Sequence, residues 1–160
     1  MANVFILLGG NVGDKSEIFI QTRKLILEKI GIIKKLSSVY ETESWGFKSH
    51  PFWNQVIVLE SGLDPFEILR LSQIIEKEMG RIKNSDGYEA RTMDIDLLFY
   101  DDRIVKTPQL TIPHPGISAR RFALMPLMEL EPGKIHPVLG ISISEMLDRC
   151  TDKLKVVRID

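Results

Sequence analysis

Residues 64–81 read DPFEILRLSQIIEKEMGR, and the fold follows from what this stretch separates. Asp64 stands as N-cap, Pro65 as first helical residue, Glu67 at the capping-box position and Gly80 as stop. Ile68, Leu71, Ile75 and Met79 recur on one face, so the spacing predicts an amphipathic helix. Immediately upstream, FWNQVIVLE (52–60) alternates and is rich in β-branched residues, which predicts a strand. Downstream, after a polar, glycine-containing segment at 81–91, residues 94–100 (DIDLLFY) predict another. The N-terminal half has the same grammar. NVFILLGGNVGDK (3–15) is an apolar strand ending in two glycines and Asn11, and Phe19, Ile26 and Ile30 then recur at helical spacing up to Gly31. Residues 32–41 predict one further strand, joined to the next by a long loop over 42–51. The order β-α-β-β-α-β predicts an α+β, ferredoxin-like antiparallel sheet with both helices on one face. C-terminal additions follow, beginning with an extended LTIPHP segment at 110–115.

Composition narrows the function classes. At 160 residues and 44% hydrophobic the chain suits one domain, 1–160, and is short for two. A formal net charge of -1 argues against a duplex-binding surface or an anionic-membrane patch. The lone Cys150 offers neither an intrachain disulfide nor a thiol pair for zinc, which fits a reducing, cytoplasmic setting. Val4–Leu8 is too short for a membrane span and lacks the basic flank of a signal peptide. No feature calls for an obligate protein partner.

Asp94 and Asp96 stand at the head of an otherwise buried strand pattern. Carboxylates are costly to desolvate without neutralisation. Side chains two apart on a strand share a face, with Cα atoms roughly 6–7 Å apart, so both acids can converge on one point. A hard divalent cation such as magnesium, held by one or two carboxylates plus substrate phosphates, would neutralise them, and two such ions could share the pair. Alternatively, the acids sit exposed or pair with Arg91. Arg81, Lys83, Arg91, His114, Arg120 and Arg121 lie in or beside predicted loops. Metal-binding acids beside phosphate-binding bases suggest a nucleoside triphosphate. There is no G-x-x-x-x-G-K-[ST], so the site is not a P-loop.

Seven blocks, LLGGN, SSVYETESWGF, PFWNQVIVLE, IEKEMGR, ARTMDIDLLFYDD, LTIPHP and RRFALMPLMELEP, occur in order and resemble the 6-hydroxymethyl-7,8-dihydropterin pyrophosphokinase family. The resemblance implies transfer of the β,γ-pyrophosphoryl group of ATP to a pterin hydroxymethyl, with release of AMP, in folate biosynthesis. It implies that Asp94 and Asp96 bind two Mg2+ ions. Arg81 and Arg91 are implied as catalytic phosphate contacts, and Glu76, Lys83, Tyr88, Arg91, Thr111, His114 and Arg120 as the ATP site. Thr42, Trp45, Phe52, Asn54 and Phe122 are implied as the pterin site, with Asn54 on the ring edge and the two phenylalanines stacking on its faces. The chain departs from the family pattern at Gly10, Glu43, Lys83, Gln109 and at Tyr88-Glu89-Ala90. Residues 82–90 are expected to act as a lid over the ternary complex. Two other classes use the same acids differently: a ligand-sensing module without turnover, and a metal-dependent phosphodiesterase.

Overall fold

The computed structural model describes residues 1–43, 51–80, 82–83, 89–90 and 92–160. At its centre lies β1 (Ala2–Gly10), antiparallel to β4 (Phe52–Ser61) on one side and to β7 (Asp94–Tyr100) on the other. The two glycines expected to end β1 are its last two residues, paired with Asn54 and Trp53.

The single strand expected over 32–41 is two, β2 (Ile32–Leu36) and β3 (Tyr40–Thr42), both antiparallel to β4. Leu36 faces Ile57 and Tyr40 faces Asn54, so Ser37–Val39 oppose only Gln55 and Val56 and the strand bulges. Serine chemistry explains the break. Ser37 exchanges backbone and hydroxyl bonds with Val56, accepting from its amide at 2.9 Å, and the Glu129 carboxylate accepts from the Ser38 amide at 3.1 Å. A final strand, β10 (Val156–Arg158), extends the sheet beyond β3, giving the order β10-β3-β4-β1-β7.

Helix α1 (Lys15–Lys29) starts at Asp14, whose side chain accepts from the Glu17 amide. Helix α2 (Pro65–Glu78) starts as expected at Asp64, which accepts from the Phe66 amide at 2.8 Å, and is followed by Gly80 at φ 83°. Glu67 does not act as the capping-box acid; it pairs with Arg70 one turn on. Both helices cover one sheet face, where Val4, Ile6, Leu8, Ile57, Leu59, Ile95 and Leu97 meet Phe19, Ile26, Ile68 and Ile75. Each such fully buried side chain contributes about 1.5–3 kcal/mol. The opposite face carries Phe5, Leu7, Val56, Val58 and Phe99, under α3 (Arg121–Leu130) and α4 (Ile143–Arg149).

Three short connections complete the chain. Strands β5 (Ile82–Lys83) and β6 (Glu89–Ala90) pair antiparallel, as do β8 (Val105–Lys106) and β9 (Thr111–Ile112). The LTIPHP stretch is therefore a hairpin strand at its start rather than only an extended segment. A 3-10 turn over Ile117–Ala119 leads into α3, whose first turn contains Phe122. Among the described residues no helix is long and apolar enough to cross a membrane.

Candidate active site

Strand alternation builds the site. In β4, Asn54 shares a face with Val56 and Val58, and in β1, Gly9 shares it with Leu7 and Phe5. Gly9 pairs with Asn54 on one side and Asp94 on the other, and Asn54 pairs in turn with Tyr40. The row Tyr40–Asn54–Gly9–Asp94 thus crosses four strands on the α3 side of the sheet, and Asp96 follows on the next row, opposite Leu7. Gly9 keeps this row open, because a Cβ there would stand 3.2 Å from Asn54 Oδ1. The result is a trough with an amide on one wall and two half-buried carboxylates on the other.

The amide wall is oriented from behind. Asn54 is buried, and its Nδ2 points at the Thr42 hydroxyl across a long contact of 3.5 Å. Thr42 faces Phe52 across the β3–β4 ladder, which puts half-buried Phe52 on the same side of the sheet. Phe122, at the start of α3, packs half-buried against the second core with the Arg120 guanidinium 5.8 Å from its ring centre.

The carboxylate wall is fixed along the outer edge of β7. Glu76, buried in the last turns of α2, accepts from the Ile95 amide at 2.9 Å. Thr92 donates its hydroxyl to the Gly80 carbonyl at 2.5 Å. Further along, the His114 amide donates to the Leu98 carbonyl at 3.0 Å. The His114 Nδ1 accepts from the Gly116 amide at 3.1 Å, which leaves Nε2 as the nitrogen available to a ligand. Burial pushes the His114 pKa below its usual value; the Asp96 charge opposes this and Arg120 reinforces it. Gly116 makes room for that arginine, since a Cβ there would meet Arg120 Nε at 2.8 Å.

The structure therefore gathers Asp94, Asp96, Asn54, Thr42 and Phe52 on one sheet face, with Glu76 and His114 docked on the edge of β7. Phe122 and Arg120 lie at the start of α3. Thr111 is exposed on β9, outside this group of contacts. Trp45, Arg81, Tyr88 and Arg91 lie outside the described residues, as do the side chain of Lys83 and most of the expected lid. Gly9, Tyr40 and Glu129 were not singled out from sequence. Tyr40 donates to Glu129 Oε1 at 2.8 Å and ties the amide end of the row to α3; burial and this acid push its pKa up to about 12. A tyrosine in an alternating strand carries no distinguishing signal, whereas the glycine doublet was visible in the sequence but read only as the end of a strand.

Residues 5–132 match the family model described as 7,8-dihydro-6-hydroxymethylpterin-pyrophosphokinase. The chain is 41% identical over 141 residues to the 2-amino-4-hydroxy-6-hydroxymethyldihydropteridine pyrophosphokinase of Porphyromonas gingivalis, covering 86% of this chain and 95% of that one. The Aquifex aeolicus enzyme of the same description is 40% identical over 146 residues, covering 91% and 90%. In Schizosaccharomyces pombe the similarity, 41% over 149 residues, falls within 20% of a folic acid synthesis protein. Among solved structures, Plasmodium falciparum HPPK-DHPS superposes with a TM-score of 0.71 at 17% identity, over 93% of this chain and 43% of that one. That likeness is one of fold, and the chain spans less than half of that structure. These relationships define a kinase-type transferase of folate biosynthesis. The chain belongs to the 7,8-dihydro-6-hydroxymethylpterin-pyrophosphokinase family, and its reaction is transfer of pyrophosphate to hydroxymethyldihydropterin.

Proposed function

We propose that the pyrophosphate donor is ATP, and that transfer takes place in the trough between Asn54 and the Asp94/Asp96 pair. The observation that carries this reading is the row across Gly9, which sets a buried amide opposite two carboxylates on one side of the sheet. Asn54, oriented by Thr42, reads the pterin edge, and Phe52 and Phe122 supply aromatic faces for the ring. A buried amide discriminates strongly against rings lacking the matching donors and acceptors.

Asp94 and Asp96 would hold Mg2+, two ions in our reading. The donor set fits: both ligands are hard carboxylate oxygens, and no group of three or more His, Cys, Asp or Glu side chains suited to a metal occurs among the described residues. A cation here would draw its remaining oxygens from phosphate and water, which is the usual habit of magnesium at nucleotide sites. Magnesium supplies neutralisation of the polyphosphate charge. His114 through Nε2 and Arg120 face the phosphates, joined by Arg81, Lys83 and Arg91, and Tyr88 covers the nucleotide or the pterin. Thr111 and Glu76 contact the nucleotide, and Trp45 the pterin. The pterin hydroxyl oxygen attacks the β-phosphorus in line; the bond from that phosphorus to the α-phosphate oxygen breaks, AMP leaves and the hydroxyl proton is released. Positioning and charge neutralisation carry most of the rate enhancement.

In the same reading residues 1–160 form one domain. Its β1-α1-β2/β3-β4-α2-β7 core is ferredoxin-like, and α3, α4 and β10 are C-terminal additions that wall the site. The domain works in the cytoplasm without membrane, nucleic acid or obligate protein partner. One assay tests the function. Protein, Mg2+, ATP and hydroxymethyldihydropterin release AMP only when the pterin is present; AMP release without it, or hydrolysis of phosphodiesters instead, overturns the proposal.

A further inference from the structure

We propose that Glu76 is a positioning residue for the carboxylate pair: by accepting the outward-facing amide of Ile95, it fixes the aim of the side chains on either side and so sets the affinity for the divalent cation. This rests on the metal reading above and assigns Glu76 a task beyond nucleotide contact.

Strand β7 is the outer strand of the sheet, so alternate backbone groups face away from β1 and need partners. The Ile95 amide finds Glu76 Oε2 at 2.9 Å. Ile95 sits between Asp94 and Asp96, so rotation of its peptide planes would swing both acids apart. Glu76 is only 7% exposed and lies at the C-terminal end of α2, where the helix dipole disfavours a negative charge. A carboxylate held there against desolvation and dipole requires strong donors, and a charge-assisted bond to a strand amide is one.

Two neighbouring contacts act in the same direction. Thr92, two residues before Asp94, donates to the Gly80 carbonyl just beyond α2. On its other side, Gly10 of β1 admits the Thr92 carbonyl so closely that a Cβ would stand 2.4 Å from it. The entry to β7 is thus held by α2 on one side and β1 on the other, and the Glu76 bond falls between the aspartates.

The test compares E76Q, whose carboxamide oxygen still accepts from the amide, with E76A, which cannot. Amide exchange at Ile95 is measured in metal-free protein, and Mn2+ binding by electron paramagnetic resonance with a non-hydrolysable ATP analogue. The Mg2+ dependence of AMP release completes the set. Expected are loss of Ile95 protection and a rise of about tenfold or more in cation half-saturation for E76A, with E76Q protected and within about threefold of wild type. An E76A protein with unchanged half-saturation overturns the inference, and so does E76Q weakened as much as E76A while Ile95 stays protected, because charge rather than positioning would then be at work. Should E76A not fold, E76Q decides alone, near-wild-type half-saturation supporting the inference and a tenfold rise overturning it. D94N separates the two levels: if it binds Mn2+ as wild type does, the metal reading itself fails and takes the inference with it.

Discussion

The two faces of the central sheet are made from the same three strands and do opposite work. Toward α1 and α2 every inward residue of β1 from Val4 to Leu8 is aliphatic and fully buried. Toward α3 and α4 the aliphatic pattern runs through Phe5, Leu7, Val56 and Val58, then gives way to Gly9, Asn54 and Asp94 one row further on. One residue of offset along a strand separates core from chemistry. A site built this way inherits the rigidity of the ladder, because β1 and β4 are paired on both sides and the outer edge of β7 is held by Glu76 and His114.

The contrast can be broken most sharply at the acids. Asp94→Ala or Asp96→Ala is expected to lower turnover by at least about 100-fold while cooperative melting in metal-free buffer survives, since charge stabilisation at the reacting phosphates is lost without opening the core. Near-normal AMP release in either variant would refute their role.

On the α1–α2 face the effect should reverse. Leu8→Ala is expected to cost about 2–5 kcal/mol of stability in denaturant titrations, while the folded protein keeps its pterin and ATP affinities. A comparable loss of ligand affinity at permissive temperature would show that the two faces are not independent.

Phe122 straddles the divide, half-buried against the second core yet placed beside Arg120. Phe122→Ala should weaken pterin binding by about 1–3 kcal/mol in calorimetry, with ATP affinity nearly unmoved. Equal losses for both ligands would make it a core residue.

The smallest effect concerns pH and the second face alone. His136 lies edge-on to Phe99, and its Nδ1 accepts from the Val138 and Leu139 amides at 3.2 and 3.0 Å. Burial, reinforced by Lys134, depresses its pKa in the folded protein. The unfolded chain then binds the proton more readily, so the stability His136 contributes is complete above about pH 6.5 and is lost as pH falls through that value toward the folded pKa. Melting temperatures at pH 7.5 and 5 should differ less in His136→Gln than in wild type; an identical difference would count against the assignment.

The sequence by itself determined the elements that rest on local physics. Helix α2 was legible because Asp64, Pro65 and Gly80 act within one turn of their own positions, and β4 and β7 because alternation is a property of the chain alone. That Asp94 and Asp96 share a face was legible for the same reason, and the seven sequence blocks carried the resemblance to the family. Only the tertiary structure decided the rest. Ser37 and Ser38 break the strand expected over 32–41 through bonds to Val56 and Glu129, partners 19 and 91 residues away. Glu67 leaves the capping box for Arg70, and Glu76, which the family resemblance implied as a nucleotide contact, turns to the backbone of β7. A side chain with several possible partners is assigned by which of them the fold brings within hydrogen-bonding distance, and that distance is set by packing between elements rather than by any spacing within one.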